Sequence, residues 1–234
     1  DTFEEGLLFF YFSSVDQGSH MLYSFADPEH PLHEPDALLG NGIRTLYEEM
    51  DEALGRVLEV VDEDDDTTLI VMSDHGFAPF YWGVNLNTWL LEQGYVTLKD
   101  PSQQGRFPLF LNVDWSRTRA YAFGMGGVYV NLRGREREGI VERGAEYAQL
   151  LDDLERDLLA MVDEGTGAHP ISLVYQTAER FTGPYLDQGP DIIVGYSRGY
   201  RYSWDGPLGE FGAEVIVDND DAWTGDHTND YRIV

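Results

Sequence analysis

The chain has 234 residues, 43 of them Asp or Glu against 15 Lys or Arg, for a formal net charge of -28. That surface repels nucleic acid and anionic lipid and so excludes both as partners. A hydrophobic content of 42% with 13% aromatics excludes a disordered chain, no run reaches the ~18 apolar residues of a membrane span, and zero cysteines exclude disulfides and thiolate metal sites.

The first predicted element is a strand at 6–12, "GLLFFYF", so close to residue 1 that the chain reads as beginning inside a larger protein. A polar loop, "SSVDQGSH", and a proline-studded connector, "DPEHPLHEPD", lead to a helix at about 36–61. Its apolar positions Leu38, Leu39, Ile43, Leu46, Met50, Leu54, Val57, Leu58 and Val61 keep helical spacing. "DEDDD" is a solvated turn. The run at 67–73 that follows reads as a strand apolar on both faces, completing a βαβ unit with a parallel pair.

"NLNTWLLEQG" predicts a short helix ended by Gly94, followed by a strand "YVTL". After an irregular stretch at 100–118, "RAYAFGMGGVYVNLRG" predicts two short strands around a Gly-rich turn. A helix is expected at about 144–162, patterned by Tyr147, Leu150, Leu151, Leu154, Leu158 and Met161. Strands "ISLVYQ" and "PDIIVGY" come next, the second central because it is almost wholly apolar. The expected organisation is an α/β core at 1–99, an inserted or cap subdomain at 100–165, and a return to the core at 166–234.

Three of the six histidines sit beside aspartates in turns rich in small residues: "VDQGSH", "SDHG" and "GDHTND". Any one pair alone reads as an ordinary turn, with Asp capping and Gly bending. Two of the three follow directly on predicted buried strands, where α/β sheets gather their ligands. Carboxylate and neutral imidazole converging on one point suit Zn²⁺ or Mn²⁺. His30 and His33, in the proline connector, and His169, in "GAHP", read as surface residues. In "NLRGRERE", Arg133 and Arg135 bring cationic side chains to a chain starved of them, with Asn131 close by in sequence. They are candidates for holding a substrate anion, or for salt bridges to neighbouring acids.

Asp-x-x-x-His, then "SDHG" some 58 positions later, then "GDH" near the end, resembles the alkaline phosphatase superfamily. Within it, the chain is most similar to the type I phosphodiesterase/nucleotide pyrophosphatase branch. "FSSVDQGSHM", "DPEHP", "VMSDHGF", "LNTWL", "DWSRTRAYA" and "GVYVNLRGRE" also carry the likeness, which runs over nearly the whole chain. The resemblance implies an α/β three-layer sandwich with a mostly parallel sheet, incomplete at the N-terminus, and a small inserted subdomain. It also implies two divalent metal ions, Zn or Mn, acting on a small phosphate ester. Asp16, His20 and His227 match the three ligands of one metal, and Asp74 and His75 match two ligands of the other. Asp226, beside His227, is a candidate for orienting an imidazole or, equally, for forming the turn.

The Ser or Thr nucleophile of the family and a further aspartate have no recognisable counterpart and are expected upstream of residue 1, leaving the fragment inactive alone. A phosphomutase of the same superfamily and a non-catalytic acidic domain are the alternatives. The acid-rich, lysine-poor composition, with Lys99 the single lysine, resembles that of proteins from a high-salt environment, an ordinary acidic protein being the alternative; a cytoplasmic location is expected.

Overall fold

The computed structural model describes residues 5–61 and 66–233, so most of the acidic turn "DEDDD" lies outside the described residues. The chain divides into two compact units. The first comprises 1–74 and 221–225, the second 75–220 and 226–234. The fold is mixed α/β, with two sheets and no barrel.

The first unit is built on two helices, α1 (Ser14–Ala26) and α2 (Gly42–Val61), the latter entered through a short 3-10 turn at Leu39–Asn41. The predicted long helix is therefore present, shorter at its start. The polar stretch expected as a loop is instead α1. It is a mainly polar helix whose buried residues are Ser19, His20 and Ser24. Gly18 lies where α1 meets α2, and a Cβ there would displace the end of the Leu46 side chain.

Neither of the two apolar runs expected as strands in this unit is one. Residues 7–13 and 67–72 carry no secondary structure, and Leu7 is 91% and Ile70 75% exposed. β-propensity alone does not make a strand: without a laddered neighbour the backbone stays irregular, whatever its side chains prefer. The predicted βαβ unit with its parallel pair is thus not formed by these segments.

The second unit holds every buried apolar residue among those described, from Ala78 to Phe211. Its first sheet has β1 (Ala78–Val84) between β6 (Gly199–Tyr202), parallel to it, and β7 (Ile216–Asp218), antiparallel. The second sheet runs β2 (Ala120–Phe123), β3 (Gly127–Val130), β5 (Ile192–Tyr196), β4 (Ile171–Gln176), antiparallel throughout. The predicted hairpin is β2–β3, and the apolar strand β5 is central as its composition required. Helix α4 (Ala145–Leu159) packs on β4 through Leu150, Leu151, Leu154 and Leu158. Helix α3 (Leu86–Glu92) ends before Gly94, whose φ of +77° suits only glycine without strain. The strand expected at "YVTL" is reduced to a single bridge, Leu98 to Val113.

A buried Asn and a buried Asp organise this unit's polar interior. Asn87 exchanges two hydrogen bonds with the Ala122 backbone, tying α3 to β2. Asp191 accepts from both terminal nitrogens of Arg135, from the Tyr147 hydroxyl and from Val130 N.

Candidate metal centre

In the first unit, Asp16 and His20 are one turn apart on α1, so the helix itself brings them to one face, as i and i+4 residues must. The convergence expected of a loop is achieved by a helix. His20 Nε2 and Asp16 Oδ1 are 3.5 Å apart, and the imidazole is only 3% exposed. His20 Nδ1 lies 2.7 Å from the Gly225 carbonyl, which can only accept, so Nδ1 carries the proton. The lone pair of Nε2 is then presented on the side of Asp16. A backbone carbonyl fixing the tautomer of an imidazole in this way is the usual support for a metal ligand. The His20 ring also stacks on Trp223, with centroids 3.7 Å apart.

The segment 223–225 is fastened to α1 by more than His20. Thr224 N donates to His20 O at 2.7 Å, and Ser24 N donates to Thr224 Oγ1 at 3.1 Å. His30 completes this clamp. Its Nδ1 accepts from Leu32 N at 3.0 Å, which leaves Nε2–H to donate to Thr224 O at 3.2 Å. His30 is 3% exposed, so the expectation of a surface residue fails. Its position among prolines masked a role in backbone satisfaction. His33 is half-buried and donates from Nδ1 to Ser24 O at 2.7 Å, whereas His169 is exposed, as expected, and donates to Met161 O at 2.8 Å.

In the second unit, His75 and His227 lie together. Their rings stack with centroids 3.6 Å apart and 15° between planes, and Phe77 meets the edge of His227 at 5.6 Å. His75 Nδ1 donates to Gly76 O at 2.9 Å, which again leaves Nε2 as the lone-pair nitrogen. Asp74 is the last residue of one unit and His75 the first of the next stretch, joined by a peptide bond.

Asp226 forms the turn that carries His227. Its Oδ1 accepts from His227 N at 2.8 Å and Thr228 N at 2.9 Å, and its Oδ2 accepts from Arg201 Nε at 2.6 Å. Burial pushes this carboxyl up, but the Arg201 charge and the Thr228 and His227 donors outweigh it and hold it below the ordinary aspartate range. Of the two roles considered for Asp226, the structure shows the turn-forming one. Sequence reasoning missed Arg201. The signal was there in "GYRYSW", a lone cation on a strand among aromatic side chains.

The three candidates for holding a substrate anion have different surroundings. Asn131 is buried, and its amide nitrogen donates to the carbonyls of Trp115, Thr118 and Glu138. Arg135 is committed to Asp191 and Glu136. Arg133, paired with Glu142 at 3.1 Å, keeps a largely exposed side chain.

The donor set fits a divalent cation. It offers a carboxylate and an imidazole on one helical face, the latter held through Nδ1–H on Gly225 O with Nε2 toward Asp16, and it contains no thiolate or cationic side chain. Among the described residues no helix is long and apolar enough to cross a membrane. Comparison with curated proteins and with solved structures returned no match to this chain. A family model, Type I phosphodiesterase / nucleotide pyrophosphatase, matches residues 3–204, a span that includes Asp16, His20, Asp74 and His75 and stops short of His227. The chain belongs to the type I phosphodiesterase/nucleotide pyrophosphatase family.

Proposed function

We propose that this chain carries the metal-binding part of a phosphoric ester hydrolase, in which Asp16, His20 and His227 hold one divalent cation, Zn or Mn, and Asp74 and His75 contribute to a second. The observation that carries the reading is the Asp16–His20 pair, with Nδ1–H of the imidazole spent on Gly225 O. Chain connectivity adds support. One residue, Asp226, separates His227 from Gly225, the residue that anchors His20, and two such Cα–Cα steps span at most about 7 Å. His227 falls beyond the span matched by the family model, so its assignment rests on this argument and on the "GDH" motif.

Bound cations would polarise the phosphorus-bound oxygens and stabilise the charge on attacking and leaving oxygens. The chain's own residues do the holding. Asp16 supplies negative charge to offset that of the cation. Gly225 O keeps His20 in the tautomer that can ligate, and Gly76 O does the same for His75. No Ser or Thr here matches the family's nucleophile, and the reading assigns that role to none of these residues.

Arg133, with its guanidinium largely exposed, is kept as the contact for a substrate anion. Asn131 and Arg135 brace the loop that presents it. Residues 100–165 are read as the insertion into the family core. The charge of -28 fits a protein working in concentrated salt.

The test is hydrolysis of bis(p-nitrophenyl) phosphate and p-nitrophenyl phosphate after chelation and after adding back Zn²⁺ or Mn²⁺. The protein containing these residues should turn over ester only with metal and lose at least a hundredfold in rate with H20A. These 234 residues alone should turn over feebly. Metal-independent turnover, or an unaffected H20A, would overturn the reading.

A further inference from the structure

Behind His227 lies a buried ion pair for which the reaction itself has no use. Arg201, on β6, is 2% exposed. The carbon of its guanidinium sits 4.7 Å from the Phe80 ring centre and 3.9 Å from those of Tyr202 and Trp204. One terminal nitrogen donates to Tyr202 O at 3.1 Å, the other to the Tyr202 hydroxyl at 3.0 Å, and Nε donates to Asp226 Oδ2 at 2.6 Å.

A buried pair of this kind gives little net stability over an apolar pair of the same shape, because both ions lose their hydration. What it does fix is orientation. Aromatic faces set the plane of the guanidinium, the guanidinium sets the rotamer of Asp226, and the other carboxylate oxygen, Oδ1, is thereby directed at His227 N and Thr228 N. The His227 ring is meanwhile held by stacking on His75. Backbone and ring of this residue are fixed by separate contacts, as a ligand with one productive geometry requires.

We propose that Arg201 is a positioning residue for the metal ligand His227, acting through Asp226; this rests on the metal reading above. Two measurements test it, one of them independent of metal. Amide hydrogen exchange at His227 and Thr228 is followed in the wild type, R201K, R201M, D226A and the R201M/D226A double variant, and the same proteins are titrated calorimetrically with Zn²⁺ and with Mn²⁺. R201M should speed exchange at both amides about tenfold or more and weaken cation binding about tenfold, with R201K between it and the wild type. In the D226A background, R201M should add nothing further. That double variant leaves no lone buried charge, so it provides a folded comparison if R201M alone melts. Unchanged exchange in R201M, or losses that add in the D226A background, would overturn the proposal. A wild type that binds neither cation overturns the metal reading instead, and the exchange data separate the two failures.

Discussion

The two units solve opposite problems. The second buries a continuous apolar core under α4 and between its strands, whereas the first buries no apolar side chain at all among the described residues. What the first unit buries is polar: Ser19, His20, Ser24, His30 and Thr224, the last four tied together through hydrogen bonds to the 224–225 segment. Its helices are amphipathic, yet α2 contributes no buried residue. Stability of the second unit therefore comes from area removed from water. Order in the first is specified by a small set of directed contacts close to the candidate ligands.

The largest effect that would sharpen this contrast is in the core. Leu154→Ala, on the buried face of α4, should cost about 2–5 kcal/mol of the second unit's stability. Leu46→Ala, half-buried on α2, should cost less than about 1.5 kcal/mol. Chemical denaturation of both variants checks the pair, and equal costs would break the comparison. Next comes the effect of metal. A cation at a hundred times its Kd stabilises its site by about 2.7 kcal/mol. Zn²⁺ or Mn²⁺ should therefore slow proteolysis within residues 14–61 and leave cleavage within 120–200 little changed; H20A should abolish the protection.

A smaller effect is expected from His30→Ala, which removes the donor to Thr224 O and the acceptor of Leu32 N. Two lost buried hydrogen bonds should cost about 1–3 kcal/mol in the first unit and weaken cation binding, read by calorimetry. His169→Ala is the matching control, with no change in cation binding. The smallest concerns acid. Asp230 is held at about 2, chiefly by hydrogen bonds from the Arg232 guanidinium and against burial, with Arg232 N and the Ser172 hydroxyl adding to the effect. Its ordinary value is about 3.9. Because the folded value is depressed, the stabilisation is present above about pH 4 and is lost as pH falls toward about 2. Arg232 is half exposed, so solvent screening keeps the contribution to about 1 kcal/mol. Asp230→Asn should flatten that part of the stability profile in acid denaturation.

The same contrast governs how much of the molecule could be read from its sequence. Period and punctuation were enough where burial follows from them. The leucines of α4, the Gly-rich hairpin β2–β3 and the apolar central strand β5 all formed where their patterns required. In the first unit pattern misled. "GLLFFYF" and "LIVM" have strand composition but no ladder, and a strand needs a neighbour that composition does not name. "SSVDQGSH" reads as loop by its small polar residues, yet folds as helix α1, and that helix is what gathers Asp16 and His20. Motif spacing singles out the acids and imidazoles proposed as ligands because each motif is local in sequence. Their supports, Gly225 O, His30 and Arg201, are distant in sequence or carry no motif, so only the fold reveals them.

Whether Asp16, His20 and His227 share one cation, as proposed, is decided by anomalous diffraction from crystals grown with Zn²⁺. A peak is expected about 2.0–2.2 Å from His20 Nε2, from an Asp16 carboxylate oxygen and from a ring nitrogen of His227. Zinc absent from these three side chains, or bound only by surface carboxylates elsewhere, would refute the shared site.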